Sequence, residues 1–438
     1  MKYLNSLFII VLCLLSNAFA DFKDWAKTPP MGWNSWDCYG PTVVESEVRA
    51  NADFMAKNLK KFGWEYVVVD IRWYVENTKS GGYNQKDPNY VLDKWGRYMP
   101  AENRFPSAKN GRGFKPLADY VHSKGLKFGI HVMRGVPKTA VENKTPIKGA
   151  NGITADKIAS DKTICWWLKD NKTIDFGKTG AQEYYDSIIS LYASWGVDFL
   201  KIDDLANPYH PEEIEMIRRA IDKCGRKIVL SVSPGETPIS CAEHIKQNAN
   251  MWRIVPDLWD NWGQVNRLMD AAARWVCHIS DGGYPDCDML PLGRIGIRAE
   301  VGRDRLSKLT KDEQYSLMNL MLICRSPLMF GGDLPSCDEF TMSLLANRRA
   351  LNLHKNSKNV RVLKNEGGFL VISSEKRVGD GGYIAFFNRT DAVMENIELA
   401  RILESLGIAA SEFREVWAGN LLKNISLNPH SSVLIDLM

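Results

Sequence analysis

In this chain carboxylates recur where apolar runs stop. "YVVVDIRWY" (66–74) ends its valines on Asp70, and "VDFLKIDD" (197–204) ends on Asp203 and Asp204. "MWRIVPDLW" (251–259) carries Arg253 and, four residues on, Asp257; "DGGYPDCDML" (281–290) adds Asp281, Asp286 and Asp288. Two carboxyls sharing a site can act on a glycosidic bond as nucleophile and acid/base, roughly 5–5.5 Å apart for retention of configuration and farther apart for inversion. Further carboxyls can hold sugar hydroxyls. Indoles supply the matching apolar surface, because an aromatic face packs on the C–H face of a pyranose. Trp33, Trp36, Trp73, Trp252, Trp259 and Trp262 all lie near these ends. Lys201 stands two residues before Asp203, on the same face of an extended segment, and an inward-facing lysine must meet a carboxylate or a ligand. Arg253 carries the same requirement. Each residue also has an ordinary reading. An Asp after a strand is often a helix N-cap, and Asp204 is assigned that role; a tryptophan is more often core than platform.

Such side chains need a frame that brings distant strand ends together. Eight short apolar segments are read as strands: "PMGWNSW", "YVVVDIRWY", "LKFGIHVM", "VDFLKIDD", "KIVLSVSP", "MWRIV", "CHIS" and "SPLMFGG". Helix-like stretches alternate with them, among them "ESEVRANADFMAKNLKKF", "AQEYYDSIISLYASWG" and "PEEIEMIRRAIDKCG". The alternation predicts parallel βαβ units, and the count of eight predicts a closed (β/α)₈ TIM barrel over residues 21–355. Gly63, Gly125, Gly196 and Gly225 fall where helix C-caps belong. Long intervals at about 75–112 and 136–180 follow the second and third strands, on the barrel face where functional loops gather. Asp203 and Asp257 then lie about a quarter-turn apart. From residue 356 the pattern becomes short strands joined by turns, predicting a C-terminal antiparallel β-sandwich domain over 356–438.

The bulk properties exclude some functions. With 438 residues, 45% apolar and 25% charged, the chain reads as a large globular protein. A net charge of +4 without a long basic run argues against nucleic-acid binding. Residues 1–20 combine Lys2, an apolar run at 7–15 and the small residues Ala18 and Ala20, the pattern of a signal peptide cleaved after Ala20. Export follows, to the periplasm or, alternatively, the extracellular space; no later segment is read as a membrane span. Of nine cysteines, Cys13 leaves with that segment. Cys38, Cys165, Cys287 and Cys337 fall in expected loops and are the disulfide candidates, whereas Cys224, Cys277 and Cys324 read as buried thiols. Cysteine and histidine spacing suggests no zinc site. "FGGDLP" (330–335) is a poor match to the phosphate site of barrels that act on phosphorylated metabolites.

"MGWNSWDCYG", "RFPSAKNGRGFKPLADYVHSKGLKFGIH", "WGVDFLKIDD", "MWRIVPDLWDNW" and "DCDMLPLG" together resemble the α-galactosidase family, glycoside hydrolase family twenty-seven, over nearly the whole chain after residue 20. The resemblance implies a TIM barrel with a C-terminal antiparallel β-domain, no metal or other cofactor in catalysis, and retention through a covalent glycosyl-aspartate. By motif match Asp203 is the nucleophile and Asp257 the acid/base, while Trp36, Asp70, Lys201, Arg253 and Asp288 fall on sugar-binding positions. Lys201 and Arg253 are then expected to help keep Asp203 ionised. Many members carry two adjacent aspartates after the second strand. Here Ile71 replaces the second, which removes an acceptor near the sugar's hydroxymethyl group. β-L-Arabinopyranose is the α-D-galactose ring without that group, so Ile71 resembles the β-L-arabinopyranosidase pattern. Ser233 aligns where many members have a glutamate near C2, which keeps α-N-acetylgalactosaminidase as an alternative. His131 replaces a tyrosine and is either a sugar contact or a packed histidine. Arg72, Leu205 and Val232 replace family cysteines. The expected partner is an oligosaccharide or polysaccharide ending in galactose or arabinopyranose, with homo-oligomerisation open; the rival class is a carbohydrate-binding protein without catalysis.

Overall fold

Strands buried on both faces read as continuous apolar runs, and the barrel of this protein is built from such runs. The structure, a computed structural model, describes residues 21–76 and 88–438; the expected signal segment 1–20 and part of the 75–112 interval lie outside the described residues. Seven parallel strands carry the expected order: β1 (Met31–Asn34), β2 (Tyr66–Val69), β3 (Lys127–Met133), β4 (Phe199–Asp203), β5 (Val229–Val232), β6 (Met251–Arg253) and, after one more, β8 (Leu328–Phe330). That one is displaced from its expected place. The first half of "CHIS" (277–280) belongs to a 3₁₀ helix (Val276–His278), and β7 is Tyr284–Asp286, which pairs with β6. Cys287 and Asp288 interrupt it, and Met289–Leu290 then pairs with β8. One interrupted strand therefore meets both ends of the sheet, which closes the barrel. The displacement has a local reason: Tyr284 and Pro285 give no apolar alternation, while Val276 packs as helix.

Helices Glu45–Asn58, Lys115–Ser123, Ala181–Trp195, Pro211–Lys223, Ala242–Asn248, Trp262–Trp275 and Lys311–Ile323 surround the sheet. In Ala181–Trp195 the buried residues Ala181, Tyr184, Tyr185, Ile188, Ile189, Tyr192 and Trp195 recur every three or four positions, which turns one apolar stripe to the strands. Gly196 ends that helix at φ +89°, a left-handed conformation that lets its N–H satisfy a terminal carbonyl; the other three cap glycines also have positive φ. Trp33, Trp73 and Trp252 are fully buried, so these indoles are core rather than platforms.

The C-terminal sheet runs antiparallel in the order Ser357–Glu366, Phe369–Lys376, Gly382–Asn388, Ser432–Leu437, Phe413–Glu415, beside a ribbon of Met394–Glu398 and Asn424–Leu427. One helix, Leu399–Ser405, interrupts the all-β expectation; Leu399 and Leu403, four apart, bury in a second small core with Ile384 and Phe386. Specific polar contacts join this sheet to the barrel. Asn319 donates to Ser432 Oγ at 2.9 Å and accepts from Trp417 Nε1 at 2.8 Å, and Arg389 clasps Asp270 at 2.6 and 2.7 Å.

Candidate active site

The register of the parallel strands assembles the first wall of the site. β3 pairs with β4 so that His131 lies level with Lys201 and Met133 with Asp203. Asp203, two residues beyond Lys201, closes β4 at the C-terminal end of the barrel, where ligands bind in this architecture. Its Oδ1 accepts from Ser233 Oγ, just past β5, and its Oδ2 lies 2.9 Å from His131 Nε2. Burial alone would raise the carboxyl's pKa, but Lys201, His131 and Ser233 together outweigh it and hold Asp203 well below the ordinary carboxylate range. Lys201 donates to Asp70 Oδ2 at 3.0 Å. Its ammonium is likewise opposed by burial and raised on balance by Asp203 and Asp70. Asp70, just past β2, also accepts from Asn34 Nδ2 at 2.7 Å and from the Ile71 N–H at 2.8 Å. Asn34 Oδ1 in turn accepts from the Trp36 backbone at 2.9 Å. Trp36, Asp70, Ile71, His131, Asp203 and Ser233, all buried, thus form one continuous set with the partly buried Lys201.

A second wall comes from β6 and β7. Arg253 ends β6; its Nη2 donates to Asp257 Oδ1 at 2.8 Å, and its Nη1 lies 2.6 Å from Asp288 Oδ1. Asp288 sits in the break of β7 at φ +76° and accepts from the Leu258 N–H at 2.7 Å. One guanidinium faces three carboxyls here, Asp257, Asp286 and Asp288. Burial, reinforced by Asp257 and Asp286, outweighs Arg253 and pushes the Asp288 pKa up, so this carboxyl can donate as well as accept. Asp37 was not singled out from the sequence, yet burial and the nearby Asp288 raise its pKa as well. Only its place beside the site, set by tertiary packing, distinguishes it from a helix-initiating aspartate.

Asp203 and Asp257 face one open cleft of about 890 Å³. Trp166, Trp167, Asn207, Pro234, Pro256 and Glu300 line it further out. None of these six follows from a strand-end rule, because they sit on loops; "CWWL" (165–168) was the available signal. Asp204 is not an N-cap. It is left-handed at φ +65°, no helix begins before Pro211, and its carboxylate lies 2.9 Å from Arg134 Nε, a partner seventy positions earlier. Asp281 pairs with Arg325 and Arg377 away from this cleft. Trp259 is 7% exposed, and Trp262 stacks on His430. All eight cysteines from Cys38 to Cys337 are free thiols, which overturns the disulfide candidates Cys38, Cys165, Cys287 and Cys337. Cys277 is exposed rather than buried, since its segment lies outside the sheet. At the former cysteine position Arg72 instead pairs with Asp170. Among the described residues no helix is long and apolar enough to cross a membrane.

A parallel barrel whose C-terminal mouth carries clustered carboxyls around two fixed cations belongs to the class of barrels suited to sugar chemistry. A family model described as Alpha galactosidase A matches residues 28–145 and 167–356, and the chain belongs to that family. Among solved structures, a β-L-arabinopyranosidase of glycoside hydrolase family twenty-seven from Geobacillus stearothermophilus, in complex with arabinose, is 48% identical. The likeness covers 95% of this chain and 98% of that one, with a TM-score of 0.90. An α-galactosidase from Oryza sativa is 27% identical over 340 residues, 76% of this chain but 65% of the rice protein's length. An α-N-acetylgalactosaminidase from Gallus gallus is 25% identical over 442 residues, 94% of this chain and 91% of that protein.

Proposed function

We propose that this protein is a retaining exo-glycosidase that removes terminal β-L-arabinopyranosyl residues, and α-D-galactopyranosyl residues less well, from plant-type glycans. One observation carries the reaction: Asp203 and Asp257 share a cleft, and Asp203 is held ionised by Lys201, His131 and Ser233. Asp203 attacks the anomeric carbon and forms a glycosyl-aspartate. Asp257, on the solvent-facing side, protonates the departing oxygen and then deprotonates the water that releases the sugar. Asp70, Lys201, Arg253 and Asp288 bind the sugar's hydroxyls, with Trp36 against its ring. Ile71 and the likeness to an arabinopyranosidase support the sugar preference. The Ser233 hydroxyl already engages Asp203, which weakens the case for Ser233 as the residue admitting an N-acetyl group. The leader-like segment 1–20 supports export, and N-terminal sequencing of the mature protein checks cleavage after Ala20.

The test is kcat/KM on p-nitrophenyl β-L-arabinopyranoside, α-D-galactopyranoside and N-acetyl-α-D-galactosaminide, with NMR of the first-formed anomer. Preference for the first glycoside with retention is expected. Binding without release from any of the three would favour a carbohydrate-binding protein instead.

A further inference from the structure

Trp166 is 79% exposed, whereas Trp33, Trp36, Trp73, Trp252 and Trp259 are buried. Its loop is nevertheless fixed at both ends by buried charge. On one side Arg134, 3% exposed, donates from Nη2 to the Thr163 carbonyl and from Nη1 to Thr173 Oγ1 at 3.0 Å. The same arginine donates from Nε to the carbonyl of Asp204 at 2.7 Å, next to Asp203. On the other side Asp170 accepts from Arg72 at 2.9 and 2.6 Å and from Tyr74 at 2.8 Å, and Arg72 follows Ile71. The segment between Thr163 and Asp170 is thus tied to the same strand ends that carry Asp70 and Asp203. An exposed indole on a tethered loop gives up solvent-exposed apolar area without reordering when a ring lies on it.

The cleft at this indole is larger than one sugar needs. At about 890 Å³ it exceeds a single pentopyranose, since pockets of roughly 300–1,000 Å³ take drug-sized ligands. Pro208, Pro234, Gly235 and Pro256 line it beside Trp166 and Trp167. Apart from Asp203 and Asp257, Glu300 is the charged residue of this lining. Such a surface suits the apolar face of an uncharged sugar ring, and among the described residues its lining offers no cation to an acidic one. Residues 146–166, with Trp166 at their end, fall between the two stretches that the family model matches.

We infer that Trp166 is the stacking platform of a leaving-group subsite, and that the substrate is an uncharged oligosaccharide or polysaccharide whose penultimate ring lies on this indole. The inference rests on the glycosidase reading above. It is tested with Trp166→Ala and Trp166→Phe on two substrates with the same terminal sugar: β-L-arabinopyranosyl fluoride, whose leaving group is a single atom, and a neutral oligosaccharide ending in β-L-arabinopyranose. Trp166→Ala is expected to lower kcat/KM on the oligosaccharide about tenfold, chiefly through KM, to leave the fluoride unchanged, and to be rescued largely by Trp166→Phe. Equal losses on both substrates, or no loss on the oligosaccharide, would overturn it. If the wild-type protein hydrolyses neither, the glycosidase reading fails separately. Calorimetric titration of wild type and Trp166→Ala with the oligosaccharide then decides the platform, and unchanged affinity overturns it.

Discussion

At the scale of single residues, the electrostatics of Asp203 and the apolar character of Ile71 make separate claims. With Asp203→Ala no nucleophile remains, and turnover on aryl glycosides should fall about 10⁴-fold or more. Added azide should restore product as a glycosyl azide of inverted configuration, identifiable by NMR; near-normal turnover would remove Asp203 from the nucleophile's role. Ile71→Asp tests the sugar preference. A carboxylate there can accept from the C6 hydroxyl that galactosides have and arabinopyranosides lack, a contact worth roughly 1.5–3 kcal/mol. That corresponds to about tenfold or more in relative kcat/KM. Ile71 is 1% exposed and its N–H already binds Asp70, so the new charge is buried beside an existing one and stability should drop. The galactoside-to-arabinopyranoside ratio cancels that general damage. A ratio that stays constant, or moves toward arabinopyranoside, would show that Ile71 does not face the C6 region.

At the scale of elements, the third-strand loop has a small sheet of its own (Val136–Pro137, Ala159–Ser160 and Asn171–Ile174), and buried ion pairs tie the segment that carries Trp166 to the barrel. Arg72 and Asp170 have side chains 1% exposed at 2.6 Å, with Tyr74 and Tyr90 donating to the same carboxylate. Removing this carboxylate takes two charge-assisted bonds from Arg72 and the shared acceptor from Tyr74 and Tyr90, so Asp170→Ala should cost about 3 kcal/mol in urea unfolding. The same variant should lose more activity on long substrates than on arabinopyranosyl fluoride, because the loop that carries Trp166 loses its second tether. A cost below about 1 kcal/mol would mean that the loop is anchored elsewhere.

At the scale of the whole molecule, helix Arg348–Asn356 joins the barrel to the C-terminal sheet and buries His354 completely. Burial, aided by Arg325 and Lys355 and opposed by the Ser326 carbonyl at 2.7 Å, lowers this histidine's pKa from 6.5 to about 3. The native state therefore binds fewer protons than the unfolded chain between these values. This contribution to stability is complete above about pH 6.5 and is lost as pH falls toward 3. By pH 5 His354 should cost about 2 kcal/mol relative to pH 7.5. Asp37, Asp204 and Asp288 act in the opposite sense, since their raised pKa values make the native state keep their protons as pH rises from about 4. The comparison of wild type with His354→Asn isolates the histidine: the variant's unfolding free energy should fall less between pH 7.5 and 5. Identical slopes for the two proteins would exclude it.

Local chemistry made much of this protein legible in one dimension. The apolar runs of β2, β3, β4 and β5, the glycine stops after helices and the carboxylates at strand ends depend on neighbours within a few positions, so the barrel and Asp70, Lys201, Asp203, Arg253, Asp257 and Asp288 could be read from the chain. Tertiary structure decided what depends on partners far away in sequence. Whether an indole is core or platform, as with Trp33 and Trp166, depends on what packs over it. Whether Asp204 caps a helix or pairs with Arg134 depends on a strand seventy residues earlier. The eight cysteines, free despite several falling in loops, depend on distances that spacing does not encode. The pKa values of Asp203, Asp288 and Asp37 depend on burial and on the sum of neighbouring charges, and both exist only once β1 to β7 have brought those groups together.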